Sequence, residues 1–166
     1  EEKIDEMLKK TKVDYCDNRI FLDDENVESQ IRSEIISKLA SKISAFGNVR
    51  LKMVELQRTI ANNKNVILDG RDIGTKVFPN ADYKFFITAS VEPRAKRRYE
   101  QLILSSHDVT LNNVLEDIKK RDESDSTRKN SPLLKAEDAM LIDTSNLNIN
   151  EVVKIITDFI GGKNVL

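Results

Sequence analysis

Asp69-Gly70-Arg71-Asp72-Ile73-Gly74-Thr75 is the stretch whose residue types could do chemistry. It packs two carboxylates and a guanidinium into four positions, with glycines that let the backbone turn. It follows Val66-Ile67-Leu68, a short apolar run with the pattern of a buried strand ending in a loop. In parallel sheets, ligands bind beyond the carboxyl ends of the strands. One reading is a polar ligand site; the other is a strand-ending turn whose Asp and Arg satisfy backbone groups. Arg121, Asp125 and Arg128 form a second constellation, at spacings that share one helical face. Such a face could offer a carboxylate to a hydroxyl and two guanidinium forks to a phosphate. It could equally be a solvated charge ladder worth about 0.3 kcal/mol per pair. The run into Lys129-Asn130-Ser131-Pro132 can end that helix before Arg128. Arg94, Arg97 and Arg98 make a third cluster, either a mobile basic helix closing over phosphates or a solvated face. Ser41 and Arg50 carry no claim in isolation, and Cys16 and His107 read as surface or packing residues.

The elements that must position these side chains come from a chain of 166 residues, with 27 Lys and Arg against 28 Asp and Glu and a net charge of −1. That length suits one domain. Charged residues are 33% and apolar residues 39%, enough for a core under a heavily charged surface. The near-neutral balance excludes a generic DNA-coating protein, so no nucleic-acid partner is expected. No apolar run approaches the roughly 20 residues of a membrane span. One cysteine and one histidine exclude a disulfide framework and a cysteine- or histidine-rich metal cluster. The acidic opening lacks the basic start and apolar stretch of a secretory leader. With the lone thiol, this makes a cytoplasmic location the expectation.

Periodicity predicts a short helix over 1–10 and a β-hairpin from Val13–Tyr15 and Arg19–Leu22 around Asp17-Asn18. Val27, Ile31, Ile35, Leu39 and Ile43 predict one amphipathic helix, interrupted at Gly47-Asn48. A second follows, with Val49, Met53, Leu56 and Ile60 inward. Buried strands are expected at Val66–Leu68, Tyr83–Thr88 and Met140–Ile142. Helices are expected from Val91 to about Leu104 behind Ser90, from Leu111 to about Ser124, and from Asn148 to Ile160, stopped by Gly161-Gly162. Short apolar strands alternating with helices imply an α/β protein with a parallel sheet.

Taken together, these residues resemble the cytidylate kinases, nucleoside monophosphate kinases of the P-loop class. The resemblance covers about Ile31 to Ile156. Its most specific part is Asp-Gly-Arg-Asp-Ile-Gly-Thr-Lys-Val-Phe-Pro-Asn-Ala, residues 69–81. It continues through Lys84–Ser90 and the Arg94-Ala95-Lys96-Arg97-Arg98 segment. Ala40-Ser41, Val49-Arg50, Gln57-Arg58, Arg121-Asp122, Asp125 and Arg128 follow in family order.

The resemblance implies an α/β fold: a three-layer P-loop kinase-type parallel sheet flanked by helices, with a small helical and β-hairpin NMP-binding region. It divides the chain into an NMP-binding region over 1–62, core strands over 63–90, lid-like basic helices over 91–128, and a core strand and helix over 129–166. It also implies roles. Ser41, Arg50 and Asp72 match residues that read the cytosine edge, Arg121 and Asp125 residues at the pentose, and Arg71 and Arg128 residues near the acceptor phosphate. Arg94, Arg97 and Arg98 match the lid, whose guanidinium groups neutralise the phosphoryl group in transit, which makes them the catalytic positions. The implied reaction transfers a phosphoryl group from ATP to CMP or dCMP, with Mg²⁺ held mainly by substrate phosphates and no protein metal site. The implied partners are these small molecules alone, and the complete protein is expected to be a monomer.

The chain departs from the family in one large respect. A P-loop kinase needs Gly-x-x-x-x-Gly-Lys-[Ser/Thr] to hold the β- and γ-phosphates. Five glycines are present, and the one Gly-Lys pair, Gly162-Lys163, precedes Asn164 and has Thr157 where the first glycine belongs. The acidic start without Met fits an N-terminal truncation, so the sheet is expected to be incomplete, lacking the strand between Val66–Leu68 and Lys84–Thr88. The chain by itself is then expected to be inactive and poorly stable. The alternative is a non-catalytic fragment or degenerate domain that keeps part of a CMP pocket or serves as an interaction module.

Overall fold

The computed structural model describes residues 2–17, 19–104 and 109–163. His107 and Asn18 lie outside these residues. The chain divides into two compact units: Glu1–Phe78 with Arg128–Ser131, and Pro79–Thr127 with Pro132–Leu166.

In the first unit, α1 (Glu2–Lys10) carries Glu2 and Asp5 in its first turn and Lys9 and Lys10 in its last, which complements the helix dipole. Strands β1 (Val13–Cys16) and β2 (Arg19–Leu22) form the expected hairpin, in a register that pairs Val13 with Leu22 and Cys16 with Arg19. Cys16 is exposed. A third short strand, β3 (Glu25–Asn26), extends the sheet beyond a turn in which Asp23 and Asp24 adopt positive φ. Asp carries that conformation with less penalty than bulkier residues. Lys12 fastens the turn: its backbone N–H donates to Asp23 Oδ1 at 2.7 Å and its ammonium to Asp24 Oδ1 at 2.8 Å.

The single helix expected from Val27 is not one helix. A 3₁₀ turn covers Gln30–Arg32, and α2 runs only over Glu34–Ile43. Ser33 is the cause: its backbone is extended and its Oγ accepts from the Ile36 N–H at 3.3 Å, so it starts a new helix. Helix α3 (Gly47–Ala61) then begins at the glycine expected to interrupt the preceding helix. Val49 and Ala61 are buried, whereas Met53 is exposed. Val66–Leu68 is not a strand. The segment is unpaired, and Ile67 lies fully exposed. An extended segment becomes a strand only when a neighbour completes its ladder, and among the described residues none does.

In the second unit, β4 (Phe85–Thr88) and β5 (Met140–Asp143) pair in parallel, Phe85 opposite Met140 and Thr88 opposite Asp143. Between them in sequence come α4 (Val91–Leu104) and α5 (Leu111–Thr127), which pack on each other. Thr110 caps α5, its Oγ1 accepting from the Asn113 N–H at 3.2 Å. The last helix, α6 (Ile149–Lys163), opens on a reciprocal cap: the Glu151 N–H donates to Asn148 Oδ1 at 3.1 Å, and the Asn148 N–H donates to Glu151 Oε2 at 2.7 Å. Phe159 sets its ring edge-on to Phe85 at 5.5 Å and Tyr83 at 6.5 Å, fixing α6 beside β4. Gly161-Gly162 does not stop this helix; it continues to Lys163. Ala95, Val114 and Ile142 are the buried apolar residues of the three central elements. The architecture is therefore α/β with parallel pairing, on an incomplete sheet. No described helix is long and apolar enough to cross a membrane.

Candidate functional site

The first unit holds half of the candidate site residues: Ser41, Arg50, Arg71, Asp72 and Arg128. After the unpaired 65–69 segment, the chain enters a π turn over Ile73–Val77. The Asp72 carbonyl accepts from both the Lys76 N–H at 2.8 Å and the Val77 N–H at 3.2 Å, and the Phe78 N–H donates to the Ile73 carbonyl at 2.7 Å. Such wide turns are rare and gather at functional sites. Val77 is 1% exposed and anchors the turn in the core. Gly70 serves by its size: a Cβ there would lie 2.9 Å from Ile73 Cγ1. Its backbone does not need positive φ, nor does that of any other described glycine.

The turn leaves Asp72 only 4% exposed. A carboxylate so placed needs a partner, and α3 supplies it. Arg50 Nε donates to Asp72 Oδ2 at 3.0 Å, and Arg50 Nη2 pairs with Asp72 Oδ1. This two-pronged geometry orients both planes and still leaves lone pairs on the carboxylate oxygens for a further donor. Ser41 is half-buried on α2, where its carbonyl accepts from Ser44 Oγ at 2.8 Å. Arg71 is half-buried in the loop next to Asp72. Arg128 lies just beyond the end of α5, half-buried, with Nε donating to the Ser131 carbonyl at 2.6 Å. Arg121, Asp125 and Arg128 therefore do not form one helical ladder.

The second unit holds the others. On α5, Asp125 is buried and Arg121 is exposed, with Arg121 Nε 3.9 Å from Asp125 Oδ2. On α4, Arg94 is not a free solvated cation: Nη1 and Nη2 grip Asp122 on α5 at 2.9 and 2.6 Å, and Nε donates to the Ala89 carbonyl at 2.9 Å. Arg97 reaches the loop after β5, with Nη2 donating to the carbonyls of Thr144 at 2.6 Å and Leu147 at 3.2 Å. Arg98 is exposed. The three arginines on one face thus have different surroundings.

Sequence reasoning passes over several of these partners. Asp122 and Thr144 carry no role in it, yet each receives an arginine. Thr144 is buried and its Oγ1 donates to the Thr88 carbonyl at 3.0 Å, tying β4 to β5 beyond their ladder. Arg58 enters the sequence reading only as part of Gln57-Arg58. Its Nε donates to the Val77 carbonyl at 2.9 Å and its Nη2 to the Lys76 carbonyl at 2.8 Å. The signal in the sequence is a second arginine about two turns beyond Arg50 on the same helix.

Among the described residues, no set of side chains is arranged as a site for a metal–nucleoside triphosphate. No described group of three or more His, Cys, Asp or Glu could hold a metal ion, and no Gly-x-x-x-x-Gly-Lys-[Ser/Thr] occurs in the sequence.

Comparison with known proteins identifies the family. The family model described as cytidylate kinase matches residues 1–161. A cytidylate kinase of Caldanaerobacter subterraneus subsp. tengcongensis is 51% identical over 154 residues, which are 93% of this chain and 69% of that protein. Cytidylate kinases of Fusobacterium nucleatum and Clostridioides difficile are each 46% identical over 154 residues, 93% of this chain and 71% of theirs.

Proposed function

The chain belongs to the cytidylate kinase family, and on that premise we propose that it provides the acceptor-nucleotide side of phosphoryl transfer from ATP to CMP or dCMP. The Arg50–Asp72 pair carries the reading. Cytosine offers an exocyclic amine beside an unprotonated ring nitrogen; uracil offers a carbonyl beside an N–H. A carboxylate that still has acceptor capacity, locked against a guanidinium, complements the first pattern and opposes the second. Leaving one buried polar group unpaired costs about 1–3 kcal/mol, enough to favour cytosine by roughly tenfold or more. Adenine presents the same amine and ring nitrogen, so its rejection rests on size.

Ser41 is assigned to the base with this pair, Arg71 and Arg128 to the acceptor phosphate, and Arg121 and Asp125 to the pentose. Arg94, Arg97 and Arg98 are assigned to charge stabilisation during transfer, where positioning and electrostatics carry most of the reaction. Arg97 and Arg98 are both exposed, but Arg94 and Arg97 already hold protein acceptors, so Arg98 best suits contact with a phosphate as it stands. ATP and Mg²⁺ belong to the reaction as a whole. Without a Gly-x-x-x-x-Gly-Lys-[Ser/Thr] segment in these 166 residues, the chain alone is expected to bind the acceptor without turning over.

Isothermal titration with CMP, UMP and AMP tests the reading. CMP should bind in preference to both. Equal or tighter UMP binding removes the assignment of Asp72. A coupled assay of ADP release with CMP and ATP should give no turnover on the isolated chain, and an ordinary kinase rate would refute that part.

A further inference from the structure

Helix α3 touches the 72–77 turn twice, and the acceptor-site reading uses only one of those contacts. At the start of the turn, Arg50 holds the Asp72 side chain. At its end, Arg58 forks onto the carbonyls of Val77 and Lys76, at 2.9 and 2.8 Å. The two arginines are separated by about 12 Å of helix at roughly 1.5 Å per residue, and the turn lies across that interval. Its end carbonyls need donors, because no helix continues past Phe78 to supply amides. A planar guanidinium can supply both at once. Its Nε–H and one Nη–H point the same way in a fixed fork, whereas an ammonium offers a single point charge.

We infer that Arg58 is a positioning residue for base recognition, acting through the π turn on Asp72. The path is continuous. Arg58 holds the Val77 and Lys76 carbonyls, and the amides of those same two residues donate to the Asp72 carbonyl. The wide turn thereby sets the backbone from which the Asp72 carboxylate meets Arg50. Arg58 touches no nucleotide in this scheme. Its loss frees the turn to slip toward an ordinary helical register, shifting Asp72 while leaving its chemistry intact. Displacements of about 1 Å at such a distance are enough to weaken recognition.

The inference rests on the acceptor-site reading, and the test separates the two. CMP and UMP binding is measured by titration for the wild-type chain, Arg58→Ala, Arg58→Lys, Asp72→Asn and the double variant Arg58→Ala/Asp72→Asn, with amide hydrogen exchange followed at Lys76, Val77 and Phe78. Arg58→Ala should speed exchange at those amides and lower the CMP-over-UMP preference about tenfold, the equivalent of one charge-assisted hydrogen bond. Arg58→Lys, which keeps the charge but not the fork, should fall between. In the Asp72→Asn background, Arg58→Ala should change the preference no further, because the path it acts through is already cut. Faster exchange with an unchanged preference would make Arg58 a stabilising residue only and overturn the inference. Additive losses in the double variant would also overturn it. If Arg58→Ala fails to fold, Arg58→Lys decides by the same two readouts. A wild-type chain with no cytosine preference refutes the acceptor-site reading itself, and this inference with it.

Discussion

Arg50 and Asp72, 22 residues apart, meet as a two-pronged ion pair, with Arg50 Nε 3.0 Å from Asp72 Oδ2. Asp72 is 4% exposed at the side chain and Arg50 16%. The pair joins α3, which carries both Arg50 and Arg58, to the turn that follows the apolar 66–68 run. It has a structural consequence apart from any nucleotide.

Removing either partner leaves a charge inside the unit without compensation. Arg50→Met should destabilise the first unit by about 3 kcal/mol. The double variant Arg50→Met/Asp72→Leu should recover much of that loss. Urea denaturation followed by circular dichroism measures both, and equal losses in the single and double variants would contradict the account.

Arg97 and Arg98 are adjacent but should respond differently. Arg97→Ala removes donors from the Thr144 and Leu147 carbonyls and should cost about 1–2 kcal/mol of stability. Arg98→Ala, at an exposed site, should stay within about 0.5 kcal/mol of wild type. Thermal denaturation of the two variants side by side reads the difference.

Gly161 lies within α6, and a Cβ built there meets no atom within 4 Å. Gly161→Ala should therefore stabilise the helix by about 0.5 kcal/mol. Were this glycine instead the helix stop that its position suggests in sequence, the same change would destabilise. The sign of the shift in melting temperature distinguishes them.

Two exposed carboxylates beside the parallel strands carry pH dependence. The Ser145 hydroxyl, and then its backbone N–H, hold the Asp143 carboxyl below the usual carboxylate range. The Lys84 ammonium, bonded to both carboxylate oxygens, does the same for Asp138. Their folded values lie below the unfolded ones, so each contributes stability that is fully present above the unfolded value. That contribution is lost as pH falls through the folded value. Carboxyl-carbon chemical shifts followed through an acid titration should show both midpoints depressed. Ser145→Ala should raise that of Asp143 and leave that of Asp138 in place.

Much of the local structure is legible in the residues because its causes are local. The hairpin of Val13–Cys16 and Arg19–Leu22 follows from β-prone residues around a turn, and α5 and α6 begin where Thr110 and Asn148 can cap them. The misreadings share a cause. The four-residue spacing from Val27 describes a helical face but does not register that Ser33 caps a new start. Val66–Leu68 has the composition of a strand, but strand formation depends on a neighbour supplied from elsewhere. Gly161-Gly162 resembles a stop, yet glycine ends a helix only where the backbone turns left-handed, and here φ stays negative.

The sequence by itself determined the class of fold, the family and the set of side chains worth attention, because residue type, order and spacing are written in one dimension. Only the tertiary structure decided what each side chain does with its charge. Arg94, Arg97 and Arg98 read as equivalent cations along one helical face, but one clasps Asp122, one binds carbonyls and one is exposed. Arg50 gained a buried carboxylate and Arg58 a pair of carbonyls for the same reason. A guanidinium's role is set by the acceptors within about 3 Å of it, and those acceptors come from distant segments that only folding brings within reach.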